Sequence, residues 1–189
     1  MGLFVIISSP TGGGKDTVIS ELLKIIPNCT RLITTTSRAP RPTDTDGVSY
    51  HFISRQEFED RIKQGYFLEY NNFADNYYGT PKAHLTDLLS TYNCVLSNLD
   101  VHGKKSMDKL GVPHVSIFLM PDNLEVLAKR ARDRGGITEE MIAKRIAIAK
   151  EEIAQVPQYD YAVTNVDGKL QETVQTVADI IRQNLASSR

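Results

Sequence analysis

The stretch that decides the fold is Leu3-Phe4-Val5-Ile6-Ile7-Ser8-Ser9-Pro10-Thr11-Gly12-Gly13-Gly14-Lys15-Asp16-Thr17. Its first half is a short apolar run with β-branched residues, which suits a strand buried on both faces of a parallel sheet. The glycines then break it. Val18, Leu22, Leu23 and Ile26 recur at helical spacing, so a helix from Thr17 to Ile26 is predicted. A strand, a glycine turn, a lysine and a helix start make an anion site. Loop N–H groups point inward, the helix N-terminus adds a partial positive charge, and Lys15 adds a full one. Gly12, Gly13 and Gly14 let the backbone approach an anion closely, through angles that a Cβ would forbid.

The alternation continues downstream. Cys94-Val95-Leu96 is a strand candidate followed by a helix near 101–110. Val115 to Met120 is another, followed by a helix with Leu124, Leu127 and Ala128. Ile137 to Ala154 reads as a longer helix, Tyr161 to Thr164 as a last strand and Leu170 to Leu185 as a last helix. Strands alternating with helices predict a parallel α/β sheet with right-handed crossovers. Residues 34–80 interrupt the rhythm with Arg38, Pro40, Arg41 and Pro42, then the aromatic runs Tyr50-His51-Phe52 and Tyr66 to Tyr70. With one amphipathic helix near 54–64 between those runs, an inserted, mostly antiparallel lobe is expected. The Arg-rich run Lys129 to Gly136 ends in two glycines and is expected to be a mobile loop.

At 189 residues, 41% hydrophobic and 24% charged, the chain suits one compact domain with small inserted subdomains. Its net charge of -1 argues against general nucleic-acid or anionic-membrane binding. The apolar start is too short for a membrane span, nothing resembles a signal peptide, and a cytoplasmic location is expected. Cys29 and Cys94 are far apart, lack Cys-x-x-Cys spacing and read as buried free thiols.

The strict phosphate-loop pattern is GxxxxGK[ST]. Here Ser9 stands where the first Gly belongs and Asp16 where the Ser or Thr belongs. A Gly-rich turn that happens to hold a lysine is the bland alternative; the strand before it and the helix after it favour the phosphate site. A carboxylate is a harder and more strongly charged Mg2+ ligand than a hydroxyl, and without metal it repels a triphosphate. Asp16 is therefore expected to contact Mg2+, directly or through one water. The alternative is that it only favours the helix N-terminus. Thr17 keeps a hydroxyl toward the phosphates. Further on, Arg38 and Arg41 lie three apart in a proline-stiffened turn, and paired guanidinium groups suit a phosphate monoester. Tyr50 and Tyr78 are candidate hydroxyl donors to the same phosphate. Taken alone, a solvated loop and two core aromatics explain these residues equally.

Taken together the pieces resemble a family. They are the loop at 9–17, Thr35-Thr36-Ser37-Arg38-Ala39-Pro40-Arg41-Pro42, Gly47 to Phe52, Gly65-Tyr66-Phe67-Leu68-Glu69, Asn76-Tyr77-Tyr78-Gly79-Thr80, Asp100-Val101-His102-Gly103, Ile117-Phe118-Leu119, Arg134-Gly135, Ala143-Lys144-Arg145 and Tyr159-Asp160-Tyr161 to Asn165. In this order and spacing they resemble the guanylate kinases over essentially the whole chain. The resemblance implies a P-loop NTPase-type three-layer α/β fold with a parallel central sheet. The core would span about 1–33, 83–126 and 147–189, an inserted mixed α/β GMP-binding lobe about 34–82, and a mobile lid about 127–146. It implies ATP-dependent phosphorylation of GMP and dGMP to the diphosphates, with Mg2+ and lid closure, by a monomer or homodimer with no nucleic-acid or membrane partner.

The same resemblance assigns residues. Pro10, Thr11, Gly12, Gly13, Gly14, Lys15, Asp16, Thr17, Arg130 and Asn165 would bind ATP, with Asn165 close to the adenine. Thr34, Arg38, Arg41, Tyr50, Glu69, Tyr78, Gly79, Thr80 and Asp100 would bind GMP. Lys15, Arg38, Arg134 and Arg145 would be catalytic, the lid arginines clamping the transferring phosphate. Guanine chemistry agrees: a carboxylate at 69 can accept N1–H and N2–H, while hydroxyls at 34 and 80 can donate to O6. Three positions depart from the family pattern. Thr34 and Thr80 replace common serines, and Asn98 replaces the usual carboxylate, which Asp16 would compensate. A ribose bisphosphate kinase on the same fold and a non-catalytic guanylate-kinase-like interaction module are the alternatives. The complete 76–80 pattern argues against the first, and the intact Lys15 and glycines against the second.

Overall fold

The computed structural model describes residues 1–42, 44–73, 75–133, 136 and 138–187. In chain order the first elements are β1 (Leu3–Ser8), α1 (Lys15–Ile25), β2 (Cys29–Arg31), β3 (Thr35–Thr36), β4 (His51–Phe52), α2 (Arg55–Lys63), β5 (Phe67–Phe73) and β6 (Asn76–Pro81). They continue with α3 (Lys82–Thr91), β7 (Cys94–Ser97), α4 (Val101–Lys109), β8 (Val115–Pro121), α5 (Leu124–Asp133), α6 (Glu139–Ile153), β9 (Tyr161–Asn165) and α7 (Leu170–Ser187). The larger sheet is parallel in the order β2-β7-β1-β8-β9, with β1 at its centre.

Alternation along β1 divides the core. Val5 and Ile7 face one side, packed with Val18, Ile19 and Leu22 of α1 and with Val174, Val177, Ala178 and Ile181 of α7. Phe4 and Ile6 face the other, packed with Leu85, Leu89 and Met107. Side chains of successive strand residues point to opposite faces, so a strand covered on both must be apolar throughout. Each such fully buried side chain contributes about 1.5–3 kcal/mol. The α7 residues recur at i, i+3, i+4 and i+7, the stripe that docks a helix on a sheet.

The smaller sheet, β4-β3-β6-β5, is mostly antiparallel as predicted, with β3 and β4 as its parallel pair. Phe58 of α2 is fully buried and stacks between Phe67 (centroids 4.2 Å apart) and Tyr77 (5.1 Å).

Several expectations needed correction. α1 begins at Lys15, two residues early, because Gly14 takes the left-handed cap conformation (φ 89°). The Arg-rich run is not a loop throughout: Lys129 to Asp133 belong to α5, while residues 134, 135 and 137 lie outside the described residues. Two elements went unforeseen. β2 is three half-buried residues, Cys-Thr-Arg, with no apolar alternation. α3 starts after Pro81 with no side-chain cap and has a weak apolar stripe. Cys29 is half-buried rather than buried, and the two cysteines, distant in sequence, are register partners on β2 and β7. The hydrogen bond with Cys94 lowers the pKa of Cys29.

Candidate active site

The loop between β1 and α1 is shaped by three close approaches. Gly12 and Gly14 both have φ 89°, the region that favours glycine. A Cβ on Gly13 would lie 2.7 Å from Ser9 Cβ, and one on Gly14 would lie 2.7 Å from Asn165 Nδ2. The Gly13 N–H donates to the Pro10 carbonyl at 2.8 Å. No side chain caps α1, so its first N–H groups, next to Lys15, are left to an anion. Ser9, in the place of the first glycine, turns its hydroxyl onto the Pro10 carbonyl at 3.0 Å.

Two distant residues brace this loop. Asn165, 5% exposed at the end of β9, donates from Nδ2 to the Gly13 carbonyl at 2.9 Å. Arg130 of α5 donates to the Gly12 carbonyl at 3.2 Å and to Asp167 at 2.6 Å. Between them lies a pocket of about 240 Å³, lined by Gly12, Gly14, Thr17, Arg130, Asn165 and Leu170 among others. Val166, Gly168 and Leu170, which also line it, were not foreseen; the run Asn165-Val166-Asp167-Gly168 is a turn signal that could have suggested them. Arg145 sits half-buried on α6, and Arg134 lies outside the described residues.

The smaller sheet carries a second cluster. Arg38 pairs with Asp44 at 2.8 Å and lies 5.6 Å over the rings of both Tyr50 and Phe52. Burial disfavours the charged Asp44, but the Arg41 N–H and the Arg38 guanidinium outweigh it, and its carboxyl is held below the usual range. Tyr50 meets Tyr78 edge-on at 5.9 Å. Burial pushes the Tyr50 phenol up, Asp16 pushes it further, and Arg31 opposes them, so these groups share one electrostatic neighbourhood. The Arg41 side chain is exposed, while the Arg41 backbone N–H donates to Asp44 Oδ2 at 2.8 Å.

The smaller sheet also carries a buried carboxyl. Glu69 is 8% exposed on β5 and accepts a 2.6 Å hydrogen bond from the Thr80 hydroxyl on β6. Burial, with Asp100 adding to it, pushes Glu69 up to about 7 against the pull of that hydroxyl. A β-bulge between Phe67 and Glu69 sets this register. Thr34 is buried beside β3, and its carbonyl accepts from His51 N–H at 2.8 Å. Asp100 caps α4 through the Gly103 N–H at 2.8 Å. Gly79 is glycine for a packing reason: a Cβ there would lie 2.8 Å from Phe67 Cδ1 and 2.9 Å from Phe58 Cζ.

Sequence reasoning also missed three further polar groups. Glu152 of α6 has Oε2 buried without a hydrogen-bond partner among the described residues. Burial lifts its carboxyl to about 7, with Lys15 pulling it down and Asp100 pushing it up. Lys104 is buried under the Tyr159 ring, 5.1 Å from its centroid, and pairs with Asp108 at 2.8 Å. Arg31, at the end of β2, donates to Asp16 Oδ1 at 2.7 Å, and Asn98, just past β7, donates to the same oxygen at 2.9 Å. Arg31 and Asn98 lie at the carboxyl ends of the paired parallel strands β2 and β7, the end of the sheet where open α/β sheets bind their ligands.

The guanylate kinase family profile matches residues 2–184. The chain belongs to the guanylate kinase family. It is 44% identical over 182 residues to the guanylate kinase of Rickettsia bellii (strain RML369-C), covering 96% of this chain and 94% of that one. It is 41% identical over 168 residues to the guanylate kinase of Clostridioides difficile (strain 630), covering 89% and 82%. A crystal structure of guanylate kinase from Anaplasma phagocytophilum superposes with a TM-score of 0.78 at 29% identity, covering 97% and 86%. A shikimate kinase from Bacteroides thetaiotaomicron shares the fold alone, with a TM-score of 0.55 at 16% identity, covering 95% and 98%. The protein is thus a kinase, a nucleotide-binding transferase that acts on nucleoside monophosphates. No described helix is long and apolar enough to cross a membrane.

Proposed function

We propose that this guanylate kinase family member transfers the γ-phosphoryl group of ATP to GMP and dGMP. The buried Glu69, bonded to Thr80 and flanked by Asp100, carries the reading. Once ionised, its carboxylate accepts guanine N1–H and N2–H, and the hydroxyls of Thr34 and Thr80 serve O6. Adenine has no N1 proton and carries an amino group in place of O6, which leaves the buried carboxylate partly unpaired. Arg38 and Arg41 hold the acceptor phosphate with the Tyr50 and Tyr78 hydroxyls. The α1 N-terminus and Lys15 hold the donor phosphates, and the pocket beside Asn165 and Leu170 takes the adenosine.

Phosphoryl transfer needs positioning and charge neutralisation more than a covalent catalyst. In this reading the chain divides into a core (about 1–33, 83–126 and 147–189), a GMP lobe (34–82) and a lid (127–146). Arg130, Arg134 and Arg145 clamp the transferring group, and lid closure excludes the water that would otherwise accept it. Mg2+ fits this site as an ion shared with the nucleotide. Among the described residues no group of three His, Cys, Asp or Glu could hold a metal alone. Mg2+, however, is bound through one or two carboxylates plus substrate phosphates, and Asp16, 62% exposed beside Lys15, is the carboxylate that would hold it. Bound there, the ion neutralises phosphate oxygens.

The test is a coupled assay with Mg-ATP and GMP, dGMP, AMP, UMP or ribose bisphosphate as acceptor. GDP and dGDP formation, with AMP poorer by about 10^4, is the expected result. Comparable turnover of AMP or ribose bisphosphate would overturn it.

A further inference from the structure

Asp16 is held in an unusual way. Arg31 Nη2 and Asn98 Nδ2 both donate to its Oδ1, at 2.7 and 2.9 Å, and among the described residues no hydrogen bond reaches its Oδ2. The burial is uneven: the Arg31 side chain is 15% exposed and that of Asp16 is 62% exposed. Arg31 Nε is buried without a hydrogen-bond partner among the described residues. Among the described residues, the one ion pair of Arg31 is with the Asp16 carboxylate in the first turn of α1, next to Lys15 and Thr17.

A carboxylate at that point faces the oxygens of any phosphate seated in the loop, and like charges repel. A second carboxylate at 98 would also face Asp16 at hydrogen-bonding distance; the Asn98 amide donates instead. Residues 16, 31 and 98 thus form one charge-balanced unit.

We propose that Arg31 is a positioning residue for nucleotide binding: with Asn98 it fixes and neutralises Asp16 through Oδ1, which leaves Oδ2 for the nucleotide-bound metal. This rests on the ATP-binding reading above. Arg31 lowers the repulsion that Asp16 imposes on metal-free ATP, and it aims the carboxylate when the metal is present. Its contribution is therefore largest without metal and depends on Asp16.

Calorimetric titration of ATP, in Mg2+ and in EDTA, tests this on the native protein, Arg31→Met, Arg31→Lys, Asp16→Ser and the double variant Asp16→Ser/Arg31→Met. Arg31→Met is expected to weaken metal-free ATP about tenfold and Mg-ATP about twofold. Arg31→Lys restores most of the loss, and in the Asp16→Ser background Arg31→Met changes neither affinity by more than about twofold. Equal weakening in both buffers, or a loss that persists without Asp16, is what a merely structural arginine would give, and overturns the proposal. Should Arg31→Met fail to fold, Asp16→Ser alone decides. It should strengthen metal-free ATP binding and flatten the metal dependence, and unchanged metal dependence overturns the proposal. Failure of the native protein to bind ATP in either buffer would instead refute the ATP-binding reading itself.

Discussion

The phosphate loop and the smaller sheet present their polar groups in opposite ways. The loop works through its backbone: two glycines at φ 89°, an uncapped helix start, and carbonyls braced by Asn165 and Arg130. The smaller sheet works through side chains: Arg38 on Asp44, Tyr50 on Tyr78, Thr80 on Glu69. A backbone site tolerates changes in side-chain identity at its edges, which is why Ser9 and Asp16 can occupy the two defining motif positions. A side-chain site tolerates only changes that keep the donor or acceptor, as the hydroxyls of Thr34 and Thr80 do. In the proposed function the loop sets how tightly a phosphate chain is held, and the sheet sets which base is admitted.

Substitutions in the two regions should separate these roles. The largest effect is expected at Lys15, the cation at the start of α1. Lys15→Met should lower kcat by roughly 10^3 with an unchanged thermal melt, in line with the loss of a preorganised transition-state donor. A fall under tenfold would show that backbone alone suffices. Glu69→Gln should lower kcat/KM for GMP by about 10^2 while the KM for ATP holds, since a buried charged acceptor of two donors is lost. Parallel loss for both nucleotides would mean that the two regions are not separable.

The same contrast explains what could be read from the sequence. Backbone sites announce themselves: glycines, an apolar strand and a helical period located β1, the loop and α1 from local pattern alone. The larger sheet followed from the alternation of apolar runs. β2 and α3 escaped because one is three residues without apolar alternation and the other lacks a cap. Side-chain contacts between distant segments were illegible without the fold. Nothing local couples Arg31 to Asp16 or brings the Glu152 carboxyl into the field of Lys15; Asn98 and Asp16 were linked through the resemblance, and the fold joins them by a hydrogen bond. Asp100 and Gly79 had ligand roles by resemblance; the structure adds a helix cap for one and a tight packing position for the other.

A smaller effect is expected at two glycines. Gly79→Ala drives a Cβ into Phe67 and Phe58, overpacking that should cost about 1–3 kcal/mol. For a chain of this size that lowers Tm by roughly 6 °C. The KM for GMP should rise while ATP binding holds. Gly14→Ala, where a Cβ would meet Asn165 at 2.7 Å and φ is 89°, should do the reverse, weakening ATP alone. Steady-state kinetics on the two variants reads the comparison directly, and identical kinetic signatures would erase it.

The last effect is a pH dependence at Glu69 of the smaller sheet. Burial raises Glu69 to about 7, so in the free protein its carboxyl is largely neutral at pH 6 and ionised at pH 8. Only the ionised form accepts both guanine donors, and affinity for GMP should tighten about tenfold from pH 6 to pH 8. The GMP phosphate titrates in the same range, so the diagnostic quantity is the difference between the native protein and Glu69→Gln, whose profile should lack this step. Stability should run the other way. A carboxyl whose folded pKa lies above its unfolded 4.5 holds its proton longer when folded. Native stability therefore falls as pH rises from about 4.5 to about 7 and then levels, by up to about 3 kcal/mol from this group. Glu69→Gln removes this share of the slope and leaves the share of Glu152, which burial also raises to about 7. Urea melts at pH 5 and pH 8 that show the same slope in both proteins would place Glu69 in water rather than in a guanine site.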